Sequence, residues 1–296
     1  MQNLNKCLRT ALLLLLTASM AFALMALSAC GGSASDQNAN TAAPSTQQSK
    51  YTILPQTLTT EHYGVGFKKG DTDLRDAVEV TLVAMYKDGT IDKIAQNYAD
   101  KGIDMKQWVL TSTKYKMPAD KGGITTLTVG FDQGFPPFGY QATDGSYTGF
   151  DLDLAKEVCT RMGWVFKAQP INWDAKDAEL SSGDINCIWN GFTIEGREDQ
   201  YTWTDPYMNN RQVIVVKSDS GITDFNGLAN KNIVAQNDSS ALNALKKSST
   251  FTSNGCHIST IAEYSNAFLE LDQGSVDAIA IDYPTAGYQI YVRSQA

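Results

Sequence analysis

The sequence predicts an α/β protein with largely parallel sheets, because apolar strand-like runs alternate with amphipathic helical stretches. Strand candidates at Leu127–Phe131, Ile185–Trp189, Gln212–Lys217, Asn232–Gln236 and Asp277–Ile281 are separated by segments of helical periodicity. Hydrophobic residues form 43% of a 296-residue chain, enough for a sizeable core, and the length suits about two domains or one large one. Finally, Leu180-Ser-Ser-Gly183-Asp-Ile185-Asn-Cys187-Ile188 returns as Leu271-Asp-Gln-Gly274-Ser-Val276-Asp-Ala278-Ile279. Each copy reads as a helix end, a glycine cap and a buried strand. Any αβ unit reads this way; so do two lobes of similar build with a ligand cleft between them.

In chain order, Met1 to Arg9 carries Lys6 and Arg9 and no acid, and Ala11 to Met25 is almost wholly apolar. A basic start, a short apolar middle and a small-residue end have the form of a secretory signal, residues 1–29. The apolar run is short for a membrane span. Residues 30–50, rich in Ser, Ala, Thr, Asn and Gln, read as a flexible tether.

In the body, Tyr63–Phe67 is a short strand candidate. Asp71 is a plausible cap for a helix with Leu74, Ala77, Val78, Leu82 and Met85 on one face. Asp88-Gly89 stops it, and Thr90 can cap a second helix with Ile91, Ile94, Ala95 and Tyr98 inward. Periodicity fades from Lys114 to Gly123, which reads as a linker. After the strand Leu127–Phe131, the prolines of Asp132–Phe138 point to an irregular, extended loop. A turn at Thr143–Ser146 leads to a helix from Asp151 to Met162, with Leu152, Ala155, Cys159 and Met162 inward and Gly163 closing it.

Composition excludes several functions. With 24 basic and 32 acidic residues, the net charge of −8 opposes general binding to phosphate backbones. Two histidines, His62 and His257, leave little material for a histidine metal site or a histidine-based triad. No phosphate loop, GxSxG elbow, HExxH or CxxC occurs, and no cofactor is expected. Cys159 and Cys187 sit in apolar patterns and are expected, with Cys256, to be free thiols.

Two charged residues follow the echoed strands. Arg197, in Trp189-Asn-Gly-Phe-Thr-Ile-Glu-Gly-Arg197, lies where α/β folds hold ligands, and its planar fork matches a carboxylate. Thr193 and the amides around Gly191 would add donors to the same anion. The plainer reading is a surface ion pair with Glu195 or Glu198. Asp282 ends an apolar run, so it is paired, faces a cleft, or caps the next helix. If the lobes face each other, Arg197 and Asp282 together read a zwitterion. Ser239 and Ser240 open a helix whose free amides favour an anion. Phe135, Phe138 and Trp173 are candidate stacking walls, though loop aromatics more often cover a core.

Leu27-Ser28-Ala29-Cys30 resembles the lipobox of bacterial lipoproteins, which implies lipidation of Cys30. Gly130–Phe138, Gly149–Ala155, Trp189–Ile194 with Arg197, Val276–Asp282, Tyr63–Gly70 and Asp88–Lys93 together resemble the polar-amino-acid solute-binding proteins of bacterial ABC importers, family 3. The resemblance implies a type II periplasmic-binding-protein fold, two α/β lobes joined by two crossover strands. The block Tyr63–Trp108 usually comes last in that family and here comes first, so the chain resembles a circular permutant. Lobe one is then expected at 62–108 and 126–208, lobe two at 51–61 and 209–296, with 109–125 joining the family's usual termini.

By the same resemblance, Arg197 would hold a ligand α-carboxylate with Thr193 and Ser240 in support, and Asp282 the α-ammonium. Phe135 and Trp173 would form the two apolar walls, Asp132 would meet a polar ligand side chain, and Phe138, Asn190, Gly191 and Ser239 complete the set of ligand-binding residues. The implied protein is a monomeric amino-acid receptor, lipid-anchored outside the bacterial cell membrane, whose partners are an ABC permease and its ATPase. An enzyme on the same fold, like cyclohexadienyl dehydratase, or a sensor subunit are the alternatives.

Overall fold

A computed structural model describes residues 49–99 and 106–295; the signal-like segment, Cys30 and almost all of the tether lie outside the described residues. Two large sheets organise the described residues, with a third, small one of Gly134–Phe135, Gly139–Gln141 and Tyr147–Thr148. In the first, the strand order is Thr202–Trp203, Gly66–Phe67, Cys187–Ile188, Thr126–Phe131, Val165–Pro170. In the second it is Tyr51–Ile53, Met208–Lys217, Ala278–Asp282, Asn232–Gln236, His257–Ile261, with Thr59–Tyr63 also paired to Met208–Lys217.

The sheets are mixed, which corrects the expectation of largely parallel ones. Parallel pairs join Thr126–Phe131 to its two neighbours and Asn232–Gln236 to its two. The pairs of Met208–Lys217 are antiparallel, as are those of Gly66–Phe67. These are the strands beside the two passages from one sheet to the other, where the chain re-enters a sheet without a helical crossover.

The long strand Met208–Lys217 sets the register that matters. Asn210 lies opposite Glu61, and Gln212 lies opposite both Thr59 and Asp282. Asn210 and Gln212 are two apart and share a face, so the register gathers Glu61, Asn210, Gln212 and Asp282.

Helix Thr72–Lys87 buries Leu74, Ala77, Val78, Leu82 and Met85, as its periodicity requires. Asp71 occupies the position before it without making a side-chain cap. Thr90 is the first residue of helix Thr90–Ala99 rather than its cap; Asp88 Oδ1 accepts the Thr90 amide at 3.0 Å. Helix Phe150–Met162 packs on both, and Tyr98 donates to Asp153 at 2.7 Å. The linker lies against this group: Leu110 is buried, the Thr113 hydroxyl donates to Glu79, and the Arg75 guanidinium sits 3.9 Å from the Tyr115 ring centre.

Both echoed segments end a helix at a left-handed glycine, Gly183 at φ +87° and Gly274 at φ +75°, before a buried strand. Cys159 and Cys187 are buried free thiols and Cys256 is a half-buried one. Among the described residues, no helix is long and apolar enough to cross a membrane.

Candidate functional site

A narrow cavity, with about 330 Å³ of atom-free space including its opening to solvent, lies between the ends of the two large sheets. Every predicted ligand residue except Phe138 lines it. Phe138 is fully buried, stacked on Phe135 at 5.7 Å and edge-on to Tyr63 at 5.2 Å. It supports the wall that Phe135 forms. The expected extended loop is in fact a hairpin, since Gly134–Phe135 pairs with Gly139–Gln141 and the Phe138 amide donates to the Phe135 carbonyl. That turn sends two aromatic rings two different ways, one to the cavity and one to the core.

The loop after Cys187–Ile188 is fixed from below by Asp151, at the start of helix Phe150–Met162. Its carboxylate accepts the Gly191 amide at 2.6 Å and the Tyr207 hydroxyl at 2.8 Å. Burial pushes Asp151 up to about 7, against the pull of these donors. Gly191 has φ +56°, and a Cβ there would fall 2.9 Å from the Phe135 ring. Glycine alone lets the backbone approach so closely. Asn190 Oδ1 accepts the Asp132 amide at 3.0 Å, tying this loop to the next.

Arg197 is 7% exposed, so the surface-ion-pair reading fails. Its guanidinium donates to the Asp238 carbonyl at 2.7 Å and lies 5.3 Å from the Phe192 ring centre. Glu195 instead takes His62 Nδ1 at 2.6 Å. Among the described residues, Arg197 makes no ion pair.

Opposite stand Gln236 to Ser240 and Asp282. Gln236 Nε2 reaches across to Asp132 Oδ2 at 2.5 Å, and burial raises the Asp132 carboxyl despite this donor and the Gly134 amide. Ser239 caps helix Ser240–Lys247 by accepting the Leu242 amide at 3.1 Å, so its hydroxyl serves the helix first. Asp282 Oδ1 accepts from Tyr63 at 2.5 Å and from Asn210 and Gln212 at 2.7 Å each. The buried Lys176 ammonium bonds Asp238 across the cleft, beneath the Trp173 ring.

Glu61 was missed as a functional residue. It is 2% exposed, and Oε1 accepts from Thr193 at 3.0 Å, Asn210 at 2.6 Å and Gln212 at 2.7 Å. Ser240 donates to its other oxygen. The hydroxyls of Thr193 and Ser240, expected to support a ligand carboxylate, therefore point their protons at Glu61. The signal was available: Glu61 and Tyr63 alternate on one face of a strand-like run, so the acid faces inward with the tyrosine. Phe192 and Gln236 also line the cavity.

The sequence of the bacterial extracellular solute-binding proteins, family 3, matches residues 127–255. A substrate-binding protein of an ABC uptake transporter from Streptococcus pneumoniae, solved with bound histidine, is 34% identical with a TM-score of 0.55. The match covers 57% of this chain and 71% of that one. The chain belongs to family 3. The type II periplasmic-binding-protein fold fits its two sheets and the cleft between them. An ancestral amino acid-binding protein, a precursor of cyclohexadienyl dehydratase, is 32% identical with a TM-score of 0.53, over 58% of this chain and 74% of that one. The L-cystine-binding protein TcyJ of Escherichia coli is 28% identical over 160 residues, 53% of this chain. The chain spans 59% of that curated relative's length. These relatives are binding proteins by name, and family 3 is extracellular by description.

Proposed function

We propose that this protein is an extracytoplasmic receptor that binds an α-amino acid in the cleft and delivers it to an ABC importer. The observation that carries the reading is one cavity lined by both the Arg197 guanidinium, from the loop beyond Cys187–Ile188, and the Asp282 carboxylate, from the end of strand Ala278–Asp282 in the other sheet. Arg197 takes the α-carboxylate in a bidentate pair and Asp282 takes the α-ammonium. Phe135 and Trp173 cover the apolar part of the ligand, and Asp132 favours a polar side chain. The names of the relatives, which bind cystine or histidine, support an amino acid as the ligand class. Contacts from both walls shift the balance toward closure without any chemical step.

In the same reading the chain is a monomer held at the cell membrane by lipid on Cys30, with residues 30–50 as tether. It is also a circular permutant. Tyr51–Trp108 precedes the family match at 127–255, yet its strands pair within both sheets. A strapped linker at 109–125 suits a joint between the family's usual ends, with the lobes assembled from 62–108 plus 126–208 and 51–61 plus 209–296.

The test is calorimetry of the chain after the tether against the twenty amino acids, with Arg197→Ala as control. Binding of at least one, lost in the variant, is the expected result. Silence toward all twenty would sink the reading.

A further inference from the structure

Glu61 and Asp282 form a buried carboxylate pair, 2% and 5% exposed, in which Asp282 lines the cleft and Glu61 stands behind it, bonded to the cleft residues Thr193 and Ser240. The two amide groups between them are shared. Asn210 Nδ2 gives one proton to Glu61 at 2.6 Å and one to Asp282 at 2.7 Å, and Gln212 Nε2 does the same at 2.7 Å to each. Two carboxylates bridged by the same neutral donors lie close together, and ionising both in a dry site is costly.

The surrounding charges do not relieve this. Strand Thr59–Tyr63 contributes Glu61 itself and the Tyr63 hydroxyl, and strand Met208–Lys217 places the neutral amides of Asn210 and Gln212 between the acids. Arg211 and His62 line a second cavity beside Glu61, but Arg211 bonds Thr57 and lies over the Tyr283 ring while His62 pairs with Glu195. Helix Tyr264–Gln273 presents Tyr264, and the loop after Cys187–Ile188 presents Arg197. Arg197 is the cation lining the cavity, and among the described residues its hydrogen bonds go to the carbonyls of Thr193 and Asp238 rather than to either acid.

We propose that Asp282 carries a proton in the empty cleft, kept there by the buried Glu61 carboxylate across the shared amides, and that a ligand ammonium takes that proton's place. The inference rests on the amino-acid reading above. The proton leaves to solvent as the ammonium enters, so the pair stays half-neutralised by a cation in both states. Consistent with this, burial and then the Glu61 charge push the Asp282 carboxyl up to about 8. Glu61 thus sets the affinity of the ammonium site without occupying the side-chain pocket, and binding tightens as pH rises toward 8.

Calorimetry of the purified chain in buffers of different ionisation enthalpy counts the protons. Wild type is expected to release about one proton per ligand near pH 7, with Kd falling up to about tenfold per pH unit between 6 and 8. Glu61→Gln is expected to lose most of both the release and the slope. Binding without proton exchange, or an unchanged slope in the variant, overturns the proposal while leaving the amino-acid reading intact. Silence toward all twenty amino acids overturns the ammonium exchange together with that reading. The resting proton is decided without ligand. The fall in thermal midpoint from pH 5 to 8 should be smaller in Glu61→Gln and in Asp282→Asn than in wild type. Equal falls in all three would overturn the resting proton on Asp282.

Discussion

In Leu180–Ile188 and in Leu271–Ile279 a helix stops at a left-handed glycine and gives way to a buried strand, yet the two segments deliver opposite charges by different means. Cys187–Ile188 pairs over two residues only, and Arg197 arrives on the loop beyond it. Ala278–Asp282 pairs over five, and Asp282 is its last member, in register with Gln212. The carboxylate is therefore positioned by a sheet, the guanidinium by a loop that Asp151, Glu61 and Asp238 tie down. Similar local build leaves the mode of positioning open; what differs is how much of each strand finds a partner.

The largest way to break the comparison is Arg197→Ala. It removes a charge-assisted fork and should weaken amino-acid binding by about 100-fold or more, with the circular dichroism spectrum unchanged. Asp282→Ala should cost about 30-fold in the same titration. Unlike the arginine variant, it should also raise the thermal midpoint at pH 8, because it removes one of two buried acids. Stability against pH sharpens the contrast next. Asp151 and Asp282 have folded-state carboxyls raised to about 7 and about 8, so the folded chain holds protons the unfolded chain has lost. Their contribution is greatest near pH 4 and is lost as pH rises through those values, so the thermal midpoint should fall from pH 5 to 8. Asp151→Asn should flatten that fall only up to about pH 7, and Asp282→Asn over the whole range to about pH 8. The smallest effect tests the shared build itself. Gly183→Ala and Gly274→Ala meet no atom within 4 Å, so each should cost about 1 kcal/mol of unfolding free energy through the left-handed backbone alone. A much larger cost at one of them would show that the segments are not equivalent.

Much of this was legible in the chain. Period and glycine placement located both echoed units and the helices Thr72–Lys87 and Phe150–Met162, because local patterns report local structure. Arg197 and Asp282 stood out because a charge after an apolar run needs a reason. Phe138 was assigned to the ligand because sequence alone does not tell which ring of a hairpin turns inward. For Glu61 the alternation with Tyr63 shows only that the acid faces inward; pairing with Met208–Lys217 is what puts it against Asn210 and beside Asp282. The antiparallel character of the crossing strands is likewise a property of partners far apart in the chain.

The bond between Lys176 and Asp238 carries a consequence for time rather than affinity. Its ammonium is 1% exposed and sealed under Trp173, while Arg197 holds the carbonyl of the same aspartate. Parting the walls must break both links and let water reach the lysine before anything inside can leave. Residence of a bound molecule is then governed by a clasp that the molecule itself need not touch. Chains with equal ligand contacts but different clasps would hold their cargo for different lengths of time.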